Sequence, residues 1–138
     1  MYKVSYIGRK NFVKFDDEHY LLYLNEEQAE VKNEETGDIM QGYAYTGSQP
    51  DGGTLVEATD VNDDNRRANF CLFLIEVKQD RRAKFVAGLI GTEYDIDSQI
   101  AILANGNDTD QHAQELKDFE DNRRVVKETI DELLAREL

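Results

Sequence analysis

The chain has few of the residues that build covalently linked or metal-stabilised folds. Its 138 residues include one cysteine, Cys71, two histidines and one proline. A lone cysteine cannot form a disulfide within the chain, and in an apolar stretch a free cysteine usually serves as a small buried side chain. A zinc site needs three or four ligands at characteristic spacings, which His19 and His112 do not supply. We predict no metal site.

Long apolar runs are also missing. No segment approaches the roughly 20 apolar residues that cross a bilayer, and residues 1–6 lack the apolar core of a secretion signal. We therefore expect a cytoplasmic protein that does not associate with membranes.

Sequence signatures of catalysis and of bound cofactors are absent too. The acidic loop Asp60–Asn65 resembles a calcium loop, but Asn65 and Cys71 stand where such a loop needs Gly and Glu. The glycine-rich segment Gly47–Gly53 has no lysine for a phosphate, and a predicted strand follows it where a phosphate-binding loop opens a helix. We predict no catalytic residue, no cofactor and no small-molecule ligand.

Negative charge dominates the composition. The chain has 29 acidic and 16 basic residues, for a net charge of −13, and both halves of the chain are acidic. Such a field repels nucleic acids and anionic membranes. The one basic stretch is interrupted by Glu76 and Asp80; it comprises Arg66, Arg67, Lys78, Arg81, Arg82 and Lys84. We expect it to be a mixed solvated face and not a nucleic-acid site.

The first half of the chain has the alternating pattern of β-strands. Asn33–Asp38 is predicted to be a hairpin loop in which Gly37 supplies a positive φ. Tyr43 and Tyr45 share one face of the following strand, where they form either a partner-binding patch or part of the core, and we favour the core. The predicted strands are Tyr2–Tyr6, Phe12–Phe15, His19–Leu24, Ala29–Lys32, Ile39–Thr46 and Thr54–Ala58.

The second half has helical periodicity from Gln79 onward. A first helix ends near Gly91, and a second, capped by Asp95, stops at Asn105-Gly106. Its apolar residues are Ile96, Ile100, Leu103 and Ala104. A third helix, capped by Asp108 or Asp110, runs to near Leu138. Its stripe comprises Leu116, Phe119, Val126, Ile130 and Leu133, with Arg123 in register. This stripe packs either on the protein's own sheet, which we favour, or in a coiled-coil dimer.

Residues 66–77 fit both a strand and a helix, and we favour a strand paired with Thr54–Ala58. The order of strands before helices predicts an α+β fold, with an N-terminal antiparallel sheet followed by about three C-terminal helices. We treat residues 1–138 as a single domain, β-rich over 1–77 and helical over 79–138.

Three segments resemble small prophage and mobile-element proteins, some of which are tail-assembly-like and others uncharacterised. They are Lys84–Leu103, Gly42–Gly47 and Asp51–Thr54. The resemblance covers about half of the chain in all. The resemblance implies a bacterial, mobile-element setting and a non-enzymatic accessory role.

Three functional hypotheses follow. The first is a non-catalytic interaction protein with a protein partner or a second copy of itself. The second is an acidic mimic of DNA that inhibits a nucleic-acid-binding protein, although 16 basic residues are mixed among its acids. The third is an enzyme whose catalytic residues show no sequence motif.

Overall fold

The computed structural model describes residues 1–59 and 70–138, so the calcium-like loop Asp60–Asn65 lies outside the described residues. The described chain divides into two compact units. The first unit comprises Met1–Val56 and Glu132–Leu138, and the second comprises Glu57–Asp131. Strands come first and three helices follow, which confirms the predicted α+β fold.

The strands form two three-stranded sheets rather than one. In the first sheet β5 lies between β1 and β4 and pairs antiparallel with both. In the second sheet β3 lies between β2, its antiparallel neighbour, and β6. The bounds are β1 Tyr2–Tyr6, β2 Phe12–Lys14, β3 His19–Leu22, β4 Glu27–Lys32, β5 Ile39–Gly47 and β6 Thr54–Glu57.

The hairpin between β4 and β5 forms where the sequence predicts it. Gly37 has φ of 75°, a conformation that costs glycine little because it has no Cβ. The Asn33 amide donates to the Asp38 carbonyl at 2.7 Å, and the Gly37 amide donates to the Asn33 carbonyl at 2.7 Å. The loop thus fixes the register of the longest strand in the first unit.

Three helices account for most of the second half. They are α1 (Phe70–Gly91), α2 (Ile96–Asn105) and α3 (Asp110–Ala135). The sequence predicts Asp108 or Asp110 as the cap of α3, but the cap is Thr109. Its hydroxyl accepts a hydrogen bond from the His112 amide at 3.1 Å. A threonine oxygen satisfies a free amide of the first turn as a carboxylate would.

The prediction of a strand over 66–77 is wrong from Phe70 onward, and residues 66–69 lie outside the described part. Phe70 is the first residue of α1, a helix of 22 residues. No glycine or proline occurs between Phe70 and Ala87, and extending an existing helix is easier than nucleating one. The helical pattern that is visible from Gln79 therefore continues upstream, while β6 joins β3 in the second sheet.

The apolar stripe of α3 is buried within the chain itself. Phe119, Val126, Ile130 and Leu133 are all almost inaccessible to solvent. A coiled coil would need this same stripe as its seam. The last helix therefore presents no free apolar seam for a second copy along these four residues.

Gly47, at the end of β5, lies against the backbone of Gly53. A Cβ at position 47 would come within 2.2 Å of the Gly53 carbonyl oxygen. We predict that Gly47→Ala destabilises the protein by about 1–3 kcal/mol, because the backbone must shift. Gly8→Ala is the matched control, since a Cβ there meets no atom within 4 Å. Equal melting temperatures for the two variants would contradict this packing.

Candidate interaction face on the second helix

Local signals set both ends of α2. The Asp95 side chain accepts a hydrogen bond from the Ser98 amide at 2.7 Å, which caps the first turn. Gly106 ends the helix with φ of 56°, and its amide donates to the Ile102 carbonyl. Both features were predicted from the sequence, and together they place the helix's apolar residues in a defined register.

Those apolar residues face solvent. Ile96 is 71% exposed, Ile100 60% and Leu103 58%. They are separated by four and three residues, so they form one stripe along the helix. All of α2 lies in the described part of the chain, and none of its residues is buried. A short helix on a protein surface usually turns such a stripe toward the core, whereas α2 exposes it.

The side of α2 next to the stripe, with Gln99 and Ile102, is the less exposed one. Gln99 and Ile102 are half-buried, and the Gln99 side chain donates to the Tyr94 carbonyl at 2.8 Å. The Tyr94 ring in turn meets the buried Phe119 ring edge-on, with centroids 5.0 Å apart. These contacts tie the first turns of α2 to Tyr94 and, through its ring, to Phe119 of α3. We call Ile96, Ile100 and Leu103 the α2 face.

The sequence segment that contains the α2 face has acidic residues and no lysine or arginine. No lysine or arginine occurs from residue 85 to residue 116. Asp97 lies within α2 and is exposed, and it forms no hydrogen bond or ion pair with any described residue. The acids of this segment are Glu93, Asp95, Asp97, Asp108, Asp110 and Glu115. An apolar stripe with an acidic border is the chemistry of a surface that receives an apolar, basic partner.

A second polar cluster in the first unit has a structural role. Tyr45 is fully buried, which confirms the core interpretation over the partner patch for this residue. Its hydroxyl donates to Glu26 at 2.8 Å and accepts from the Lys10 amide at 2.9 Å. Burial is the main cause that raises the pKa of Tyr45 to about 12, and the nearby Glu26 adds to it. The phenol therefore stays protonated and serves as a hydrogen-bond donor.

Arg136 completes this cluster from the C-terminal segment of the first unit. Its side chain is almost fully buried and donates to the backbone carbonyls of Lys10 and Tyr23. Glu132 accepts two hydrogen bonds from the guanidinium, at 3.0 and 2.8 Å, and Glu26 lies 3.5 Å away. The sequence gives no sign of this role, because Arg136 is 126 residues from Lys10.

Glu26 is ionised within the cluster. Burial raises the pKa of Glu26, but hydrogen bonds from Arg9 and Tyr45 and the charge of Arg136 outweigh it, so the net pKa is lowered. In the unfolded chain the carboxyl group takes up its proton at a higher pH than in the folded chain. We therefore predict stability that is present above about pH 4.5 and is lost as the pH falls through the lowered folded value. Urea unfolding between pH 6 and pH 3 should show a smaller loss for Glu26→Gln than for the wild type.

The other sequence candidates have local structural roles. His19 lies 2.9 Å from Asp16, and His112 contacts Asp108, so each histidine pairs with a neighbouring carboxylate. No group of three potential metal ligands occurs among the described residues. The glycine-rich loop leads into β6, as predicted, and its Gly53 amide donates to Asp51 at 2.9 Å. The amide that an anion would use is therefore already bonded.

A shallow depression of about 430 Å³ lies along α3. Three acidic and three basic side chains line it: Glu120, Arg123, Arg124, Lys127, Glu128 and Asp131. Arg124 lies 3.5 Å from Glu128, and Asp131 accepts from Arg82 at 2.6 Å. Because acidic and basic side chains are equal in number along it, the depression shows no preference for an anion or a cation.

Comparison with protein-family models, with curated proteins and with solved structures finds no match to this chain. Within residues 1–59 and 70–138, no helix has both the length and the apolar character needed to cross a membrane. The geometry of the chain itself therefore carries the functional proposal.

Proposed function

We propose that the chain is a non-catalytic interaction protein that docks a different protein on the α2 face. The observation that carries this proposal is the exposed stripe of Ile96, Ile100 and Leu103 on a helix that Gln99 ties to the carbonyl of Tyr94. Contiguous exposed apolar surface on a soluble domain is typical of a protein-binding site.

Charge favours a different protein over a second copy of this chain. Two copies each carry a net charge of −13, and a symmetric contact through α2 would bring two acidic borders together. Like charges across an interface disfavour association. The chain alone should therefore scatter light in solution as a monomer of 15.9 kDa.

The carboxyl groups with lowered pKa values offer no candidate proton donor. Four described carboxyl groups have lowered pKa values, and each has a structural partner. Asp16 accepts hydrogen bonds from a backbone amide and from His19. Glu26 accepts from Arg9 and Tyr45. Asp95 caps α2, and Asp131 accepts from Arg82. A carboxylate that stays ionised through neutral pH is a poor proton donor.

A DNA mimic fits the described surface less well. Mimicry requires rows of unpaired carboxylates, whereas several acids of α3 lie in ion pairs with cations, among them Asp121, Glu128 and Asp131. A cytoplasmic setting and an accessory role in a mobile element belong to the proposal as expectations. The segment Lys84–Leu103 that carries the resemblance contains most of α2.

The test is position-resolved photo-crosslinking in the native cells. A photoreactive residue at position 100 should give one discrete adduct, and the same residue at position 101, on the polar side of α2, should not. Mass spectrometry identifies the crosslinked partner protein. The partner is then purified on its own and titrated against the chain. We expect Ile100→Ser to weaken this binding at least tenfold, because a buried apolar side chain is lost, while Ala101→Ser leaves it unchanged. Equal adducts at both positions, or equal affinity of both variants, would contradict the proposal.

A further inference from the structure

The acidic border of the α2 face indicates the chemistry of the partner. Asp97 follows Ile96 in the helix, about 100° around the axis, which places it beside the stripe on the side of Ala104. It is exposed and has no hydrogen-bond or ion-pair partner among the described residues. Its charge is therefore available to a docking protein, unlike that of Asp95, which the helix cap uses.

The far end of the stripe has the same polarity. The last turn of α2 presents carbonyl groups, and the negative end of a helix dipole attracts cations. The chain continues into Asp108 and Asp110 without any intervening basic residue. Asp108 is engaged by the His112 ring, whereas Asp110 has no hydrogen-bond partner among the described residues. Asp97 thus supplies negative charge beside the N-terminal end of the stripe, and the helix dipole supplies it at the C-terminal end.

The dimensions of the stripe suit a helix. The Cα atoms of Ile96 and Leu103 are seven residues apart, which spans about 10 Å or two helical turns. A partner helix with apolar residues at positions i, i+3, i+4 and i+7 covers the same length. Ridges of side chains on two helices interlock at such a contact.

We propose that the occupant of the α2 face is a basic amphipathic helix of another protein, with lysine or arginine on the border of its apolar stripe that meets Asp97. This inference rests on the proposed function and adds the charge and shape of the partner. The apolar contact supplies the affinity, and the charges select the partner and speed its approach.

Two synthetic peptides test the inference by fluorescence anisotropy. Both are 18 residues long with leucines at the helical spacing above; one has lysines at the border positions and the other has glutamates there. We expect the lysine peptide to bind, more weakly as salt rises, and the glutamate peptide not to bind. Ile100→Ser should weaken binding of the lysine peptide roughly tenfold, and Asp97→Asn roughly threefold.

Matched controls separate docking from general attraction to an acidic protein. Ala101→Ser changes the polar side of the same helix, and Glu34→Gln removes one charge from the β4–β5 loop; both should stay within about twofold of the wild type. If Ile100→Ser binds the lysine peptide as the wild type does, the attraction is unspecific and the inference is overturned. It is likewise overturned if the lysine peptide does not bind.

The glutamate peptide distinguishes this inference from the proposed function. If it binds as tightly as the lysine peptide and Ile100→Ser weakens both, the α2 face docks helices without regard to charge. That result would support the proposed function and contradict the inference that the partner is basic. If position 100 gives no discrete adduct in the photo-crosslinking experiment, the proposed function is contradicted, whichever peptides bind.

Discussion

Replacing Arg136 with alanine should destabilise the protein by about 3–5 kcal/mol, the usual loss when one partner of a buried ion pair is removed. The guanidinium is 2% exposed, and Glu26 beside it is 15% exposed. Without Arg136, Glu26 keeps its charge with fewer partners, and the carbonyls of Lys10 and Tyr23 lose a donor. Chemical denaturation followed by circular dichroism measures the change.

Arg124→Ala is the control for the Arg136 variant. Arg124 lies within α3, the helix that ends just before Arg136. Its side chain is 62% exposed and pairs with Glu128 at 3.5 Å. Exposed ion pairs contribute at most about 1 kcal/mol. Arg136→Lys keeps the charge but not the planar geometry, so it should be intermediate and should still fold. If Arg136→Ala is as stable as Arg124→Ala, the clustered contacts around Glu26 do not hold the first unit together.

Phe119→Ala should have an effect of similar size in the second unit, about 3–5 kcal/mol. The side chain of Phe119 is 1% exposed, and the edge of the Tyr94 ring packs against it. Truncation removes this contact and leaves a cavity that the surrounding side chains fill only in part. Thermal and urea unfolding should both report the loss.

Val125→Ala provides the matched control on the same helix. Val125 is 49% exposed, so its truncation removes little buried surface, and alanine favours the helix. Its stability should stay within about 0.5 kcal/mol of the wild type. A loss for Phe119→Ala no larger than that of Val125→Ala would mean that α3 does not bury the stripe assigned to it.

Features set by neighbouring residues were predictable from the sequence. Gly37, Asp95 and Gly106 each act through hydrogen bonds within a few residues, so their roles can be read from local patterns. The same is true of the apolar stripe of α3, whose spacing predicts the helix and the residues that share one side of it.

Features set by tertiary contacts were not predictable. The apolar pattern of residues 70–77 fits two periodicities, and only the continuous helix of the fold distinguishes them. The cluster around Arg136 joins residues from opposite ends of the sequence. The stripe of α2 was visible as a helical pattern, but a pattern reports which residues share a side and not whether that side is covered.

One measurement tests directly whether the α2 face is open in the free chain. The isoleucine and leucine methyl groups are labelled for NMR, and a soluble gadolinium chelate is added to broaden the signals of accessible methyl groups. The structure predicts strong broadening for Ile96, Ile100 and Leu103, and little for the buried Ile130 and Leu133. If Ile100 is as protected as Ile130, the stripe is covered within the chain, and α2 is not the interaction face.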